Sequence, residues 1–287
     1  MKGILEIGVT LLGASAVLFA QQDAVPLNKA PNPSSVRDVR QIVESSLAAT
    51  QRHWHERRHY SYVERAESRR RDLDGRVRSE DIAISRTTLV NDVPFEQLME
   101  RNGQPPSAWE ERRQTAALGR VKRETPEQVA KQEREEENET SSLVQEVPKA
   151  FDFQLLGEET IHGRATYVLH ATPHPTYQAR GTYGRVLSKV EGTLWIDTQD
   201  LVWMKVDGRV IQPFSIGLFL VRLLRGSQVT IEQTRVDDGN WMPTRVEVRA
   251  SATLLLLKSL VIERILTYSD YRRSASDAAV ARAPAIP

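Results

Sequence analysis

Hydrophobic, β-rich segments of strand length follow one another between Phe151 and Tyr271, separated by short polar turns. No helical crossover interrupts these segments, although parallel strands would need such connections, so the pattern predicts an antiparallel sheet. The turns contain Asp, Gly and Asn, residues that tight turns favour. The predicted strands are Phe151–Gly157, Arg164–Thr172, Val186–Ile196, Leu201–Ile211, Gln228–Val236, Trp241–Ala250 and Leu260–Tyr271.

The first part of the chain predicts one amphipathic helix followed by two strands. Ser35 and Asp38 have the spacing of a capping box, and apolar residues then recur at helical spacing as far as Trp54. A strand begins near Tyr60, Asp74-Gly75 marks a hairpin turn, and a second strand covers Arg76–Val90.

Charged residues dominate the segment Ser107–Val147. Ser107 with Glu110 and Thr125-Pro126 with Gln128 each match a helix start, so two successive helices are predicted. Their apolar stripe is weak, and we therefore expect a mobile, solvated insertion that folding does not need. The alternative is a docking arm for a protein partner.

The N-terminal residues of the chain predict export. Lys2 and the apolar run Ile7–Ala20 are typical of a signal peptide over residues 1–20. Residues 21–33 then form a flexible leader, residues 34–272 a single domain that contains the insertion 107–147, and residues 273–287 a disordered tail. The chain has no cysteine, which excludes disulfides, thiolate metal sites and a lipid-modified cysteine, and favours a bacterial periplasm or exterior.

Charge and motifs argue against several classes of function. The 39 basic and 38 acidic residues give no electrostatic basis for nucleic-acid binding. His55, Glu56 and His59 form an H-E-x-x-H pattern, which holds zinc in metalloproteases. Arg57 and Arg58 fill its inner positions, however, and cations there oppose metal binding. We therefore treat these three residues as weak metal candidates and predict no catalytic residue, no metal and no cofactor.

Two nearly unbroken apolar runs, Phe214–Leu224 and Leu254–Leu257 together with Leu260–Ile262, are too short to span a bilayer and do not alternate like a strand with one wet face. They are either ordinary core, with a helix lying across the sheet, or the lining of an apolar cavity. On the second interpretation they hold an acyl chain together with tryptophans of the neighbouring strands. The candidate ligand contacts are Trp195, Trp203, Phe214, Ile216, Leu218, Phe219, Leu255 and Leu257.

Three short motifs of the sheet region occur together: Gly157-x5-Gly163-x3-Tyr167-Val168-Leu169, Gly192-x-Leu194-Trp195-Ile196-Asp197 and Val202-Trp203-Met204-Lys205-Val206. Together they resemble the periplasmic lipoprotein carriers and receptors of the LolA/LolB type and the related RseB-like sensors. The resemblance implies a curved, antiparallel half-barrel with helices on its concave face, and a place in outer-membrane lipoprotein sorting.

The sequence therefore predicts a mainly β, α+β fold that combines this half-barrel with a charged helical insertion. The leading hypothesis is a non-catalytic periplasmic or secreted protein that binds a lipid, an acyl chain or a lipoprotein. One alternative is a regulatory or scaffolding module that binds an envelope protein through residues 107–147. The other is a zinc hydrolase that uses His55, Glu56 and His59.

Overall fold

One antiparallel sheet contains every strand of the computed structural model, which describes residues 39–179, 181–216, 221–236, 239–254 and 258–274. The predicted signal peptide, the leader and nearly all of the predicted tail lie outside these residues. The strands are β1 (Tyr60–Arg71), β2 (Val77–Val90), β3 (Val93–Arg101), β4 (Phe151–Ile161), β5 (Arg164–Pro173), β6 (Val190–Asp197), β7 (Trp203–Val210), β8 (Phe214–Ile216), β9 (Val221–Leu223), β10 (Gln228–Arg235), β11 (Trp241–Leu254) and β12 (Lys258–Arg273).

The sheet has the strand order β3-β2-β1-β12-β11-β10-β7-β6-β5-β4, and the short β8–β9 hairpin attaches to the far end of β11. The sheet is curved. It is unclosed because its outermost strands, β3 and β4, do not pair with each other. The predicted mainly β fold, consistent with a half-barrel, is confirmed.

Four α-helices accompany the sheet in the described residues: α1 (Val39–Glu56), α2 (Ala108–Val121), α3 (Pro126–Ala150) and α4 (Gly181–Leu187). Helix α1 contributes Ile42, Val43 and Leu47 to the main core, each less than 5% exposed. The end of α3 adds Val147 and Ala150 to the same core. No helix among the described residues combines the length and the apolar character that crossing a bilayer requires.

Both predicted helix starts in the charged segment are confirmed. The Ser107 side chain accepts a hydrogen bond from the Glu110 backbone, and the Glu110 carboxylate accepts one from the Ser107 backbone in return. Thr125 and Gln128 form the equivalent pair at the start of α3, with Pro126 at the first helical position.

Four features differ from the sequence-based predictions. Residues 181–187 form a helix where a loop and the start of a strand were predicted, and β3 was not predicted. The described parts of Phe214–Leu224 form a two-stranded hairpin, although no strand was predicted there. The expectation that the whole insertion lacks core contacts is wrong for its last turns, because Val147 is only 2% exposed.

Candidate functional site

A continuous row of apolar side chains crosses the sheet on the face that the helices cover. Strand pairing places its nine members side by side on neighbouring strands, and residues paired in this way share one face. In sheet order from β4 to β2 they are Leu155, Leu169, Leu194, Val206, Ile231, Val246, Leu266, Ala66 and Ala83. We call this face the helix-covered face.

The helices fully cover only some members of this row. Leu169, Leu194 and Val206 are at most 2% exposed beneath the helices, whereas Ile231 and Val246 on the middle strands are only partly buried. Two further valines on this face, Val221 and Val248, are also partly exposed and pack against the main core. These four residues, Val221, Ile231, Val246 and Val248, form what we call the apolar strip.

Aromatic and charged residues lie at one end of the apolar strip. Val246 also packs against a second cluster that contains Tyr62 and Tyr268. The guanidinium of Arg57, from the 3₁₀ turn that follows α1, lies 5.6 Å from the ring centroid of Tyr62 and 5.4 Å from that of Tyr268. Such distances are typical of cation–π contacts. The strip therefore joins an apolar surface to a polar end.

Glu64 belongs to the same polar end. Burial raises the pKa of its carboxyl group, and the nearby Glu96 carboxylate raises it further. Arg264, a hydrogen bond with Tyr268 and Arg57 act in the opposite direction without reversing the shift. The site thus contains a carboxyl group whose neutral form the fold favours.

The three predicted ligand contacts whose side chains are described do not form one cluster. Trp203 is 3% exposed in the core, where its indole N–H donates to Ser46 Oγ at 2.9 Å. Phe214 is also buried, within the main core. Trp195 faces away from the helices, with Lys205 Nζ 4.8 Å from its ring centroid and its N–H donating to Glu159.

The remaining predicted contacts belong to the two apolar runs. Leu218, Phe219, Leu255 and Leu257 lie outside the described residues, and of Ile216 only the backbone is described, in β8. The strand ends beside them are neighbours, because Ile216 pairs with Val221, Val221 with Leu254, and Leu254 with Lys258. A ligand-binding role for these residues stays a prediction.

The H-E-x-x-H pattern crosses the end of a helix. Helix α1 ends at Glu56, residues 57–59 form the 3₁₀ turn, and β1 begins at Tyr60. Glu56 accepts a hydrogen bond from Arg273 at 3.0 Å. The side chain of His55 is not among those described, and the described residues contain no group of three or more His, Asp or Glu placed to hold a metal ion.

The opposite face, which we call the open face, contains a polar cavity of about 420 Å³. Strands β10, β11, β12, β1 and β2 line it, and its charged groups are largely paired: Arg69 with Glu80 at 2.6 Å, and Arg249 with Glu263 at 3.8 Å. The sequence did not predict this cavity or the apolar strip, since each combines residues from distant parts of the chain. Strand alternation is the sequence signal that assigns residues to a face, but it does not give the strand order.

No family model matches the chain, and no curated protein matches it. Among solved structures, it is similar to a putative outer membrane lipoprotein-sorting protein domain from Vibrio parahaemolyticus, with a TM-score of 0.31, 13% identity, and coverage of 81% of this chain and 94% of that one. A LolA superfamily protein from Nitrosomonas europaea gives a TM-score of 0.28 and 15% identity, with 83% and 94% covered.

A DUF1329 family protein from Desulfovibrio piger gives a TM-score of 0.28 and 10% identity, with 81% of this chain and 93% of that one covered. These similar structures thus include a LolA superfamily protein and a putative lipoprotein-sorting domain, the kinds of protein that the sequence resembles. At such TM-scores and identities, the likeness carries no argument about function.

Proposed function

We propose that this protein is a non-catalytic binding protein for an apolar chain, such as the acyl chain of a lipid or lipoprotein, and that it works in the bacterial periplasm. The observation that carries the proposal is the apolar strip. Its four side chains continue the main core but are not fully covered by the helices. A ligand that covers these side chains removes their exposed apolar surface from water, which favours binding.

The expected affinity follows from the chemistry of an acyl chain. Each buried CH₂ group contributes about 0.8 kcal/mol, so six to eight methylenes contribute roughly 5–6 kcal/mol before the cost of ordering the chain. That gain requires no specific polar contact. A site of this kind is therefore compatible with a ligand of variable headgroup.

The test compares one substitution on each face of the sheet. Val246→Asp places a carboxylate within the apolar strip, at a residue that does not line the open-face cavity, whereas Ile265→Asp does so at a partly exposed position of that cavity. We expect binding of a fluorescent fatty acid to fall at least tenfold in Val246→Asp and to stay within twofold of the parent in Ile265→Asp. Melting temperatures should show that both variants are folded.

Two results would contradict the proposal. One is a parent protein that binds neither the fatty acid nor a lipopeptide at micromolar concentration. The other is an equal loss of binding in both variants. Native mass spectrometry of protein purified from its own periplasm supplies an independent readout, because a bound acyl ligand adds a defined mass.

A protein-binding role for the helical segment is the second candidate, and one observation favours it. Trp109 on α2 is 50% exposed and is held against the guanidinium of Arg113, 4.7 Å from its ring centroid. Exposed tryptophan and arginine side chains are enriched at interface hot spots. If α2 recruits an envelope protein, Trp109→Ala should abolish its recovery in a pull-down, while Arg120→Ala at the other end of α2 should not.

A further inference from the structure

One end of the sheet combines cationic residues with exposed apolar side chains. The β1–β2 hairpin turns there through Asp72–Arg76, and the loop after β9 reaches the same level of the sheet. Arg71 pairs with Val261, Val261 with Ser251, and the backbone N–H of Leu224 donates to the Ser251 carbonyl at 2.8 Å. We call this the basic end.

Cations outnumber acids strongly at the basic end. Residues 69–78 at the tip of the β1–β2 hairpin and the segment Val221–Ser227 carry seven arginines against two aspartates, in a chain whose formal net charge is only +1. The three described turns at the opposite end, at 91–92, 162–163 and 198–202, contain no lysine or arginine. The seven arginines are Arg69, Arg70, Arg71, Arg76, Arg78, Arg222 and Arg225.

Four of these arginines are available to an external anion. Arg70, Arg76, Arg222 and Arg225 are exposed, and no described carboxylate lies within salt-bridge distance of any of them. Asp72 is instead occupied by Arg78 at 2.7 Å.

An ordered turn presents the apolar part of this surface. Leu73 is 69% exposed at the tip of the hairpin, and Val77 is 45% exposed beside it. Asp72 fixes the turn, since its carbonyl accepts from the Gly75 N–H at 3.1 Å and its carboxylate from the Arg76 N–H at 2.9 Å. Little conformational entropy remains to be lost when this tip contacts a partner.

We propose that the basic end docks the protein on the surface of an anionic lipid bilayer. Arginines near such a surface are attracted by its negative potential, and a leucine at the tip can enter the headgroup region, where burial of apolar area adds to binding. Nucleic acid fits this surface less well, because its phosphates cannot bury the apolar side chains of Leu73 and Val77. Neighbouring strands lie about 4.8 Å apart, so β1 and β9 span about 15 Å of membrane surface.

The proposal is tested with the exported protein on vesicles of phosphatidylcholine alone and of phosphatidylcholine mixed with phosphatidylglycerol. The parent should bind only the phosphatidylglycerol vesicles, and more weakly at high salt. Each arginine near the surface corresponds to about a fivefold change in binding, so Arg70→Ala with Arg76→Ala should weaken binding roughly 25-fold. Leu73→Ser should weaken it as well, with no change in salt dependence.

Matched controls separate docking from general charge. Arg86→Ala with Arg272→Ala removes two exposed arginines near the other end of the sheet, and Met99→Ser changes an apolar side chain that is 45% exposed on β3. Both should bind vesicles like the parent. The proposal would be overturned by a parent protein that does not bind phosphatidylglycerol vesicles, or by equal losses of vesicle binding in the test and control pairs. The first of these results is expected if the true partner is an acidic protein.

The docking proposal stands apart from acyl-chain binding, and the same samples distinguish the two. Fluorescent fatty-acid binding without vesicles should be unchanged in the basic-end variants, since none of the altered residues belongs to the apolar strip. If neither the parent nor the variants bind the fatty acid but vesicle binding is as expected, only the proposed function is contradicted. The reverse pattern leaves the function intact and removes the docking surface.

Discussion

At the scale of single residues, Asp197 and Arg164 form an ion pair whose carboxylate is almost completely buried. Arg164 donates to both carboxylate oxygens, at 2.6 and 2.9 Å, and the carboxylate is 1% exposed. The backbone N–H groups of Gln199 and Asp200 donate to the same group. Burial raises the pKa of Asp197, but these hydrogen bonds and the Arg164 charge outweigh it and lower the pKa overall.

We predict that Arg164→Ala lowers the free energy of unfolding by roughly 3 kcal/mol, because it leaves a buried carboxylate without its cation. Arg69→Ala provides the control: its pair with Glu80 is equally short at 2.6 Å but exposed, so the loss should stay below about 1 kcal/mol. Urea unfolding at neutral pH measures both. Since the folded-state pKa of Asp197 is lowered, the stabilisation by the pair is present above the unfolded pKa and disappears as the pH falls through the folded pKa. Equal losses in the two variants would contradict the prediction.

Glu64 gives the opposite pH dependence. Its pKa is raised from 4.5, so the folded chain holds the proton more tightly than the unfolded chain does. Stability from this group is therefore fully present at acidic pH and is lost as the pH rises through the folded pKa. Glu64→Gln cannot ionise, so we predict that it gains stability relative to the parent as the pH rises from about 4 to about 8.

The measurement is urea unfolding of Glu64→Gln and the parent across that pH range. Glu80→Gln, at an exposed position on β2, controls for the removal of a carboxylate in general. A difference in unfolding free energy between Glu64→Gln and the parent that is flat, or that falls with rising pH, would rule out this pH dependence. In that case the Glu64 carboxylate is a needed counter-ion for Arg57.

At the scale of elements, local signals predicted the structure where they were strong. Ser107, Thr125 and Gly75 each fix a helix start or a turn through contacts within four residues, and all three were predicted correctly. Strand β3 was not, because its sequence VPFEQLMER contains proline and polar residues and lies at the edge of the sheet. Helix α4 begins at Gly181, which carries no capping signal. Such elements depend on tertiary contacts that cannot be predicted from the local sequence.

Helix α3 shows how tertiary contacts can override composition. Its first part is charged and solvated, but its end packs against α1, where Gln51 donates to Ser141 at 2.8 Å and Val147 is buried. We predict that Val147→Ala costs roughly 2 kcal/mol of unfolding free energy through lost burial and a cavity. Val129→Ala, the same change at a partly exposed position in the first part of the helix, should cost less, about 1 kcal/mol or below. Thermal or urea unfolding distinguishes the two, and equal costs would show that the whole helix is packed.

At the scale of the molecule, the sheet was predictable and the site was not. Alternation within β11 places Val246 and Val248 on the same face of that strand. Which strands lie beside them is decided by long-range pairing, such as that of β1 with β12, which joins residues about 200 positions apart. The apolar strip and the open-face cavity both arise from this pairing. A single sequence contains no signal for it.

The uneven core also predicts an uneven stability. Strand β6 is buried over most of its length under α1 and α3, whereas β2 is exposed over its first four residues and the main core includes no residue of β2 or β3. Strands with few buried contacts open at lower free energy. We therefore expect backbone amides of β5, β6 and β7 to exchange hydrogen slowest and those of β2 and β3 fastest. A saturating fatty acid should raise protection in β10 and β11, which carry most of the apolar strip, and leave β2 and β3 unchanged. Uniform exchange over the sheet would contradict the stability argument, and protection gained only in β2 and β3 would move the ligand away from the strip.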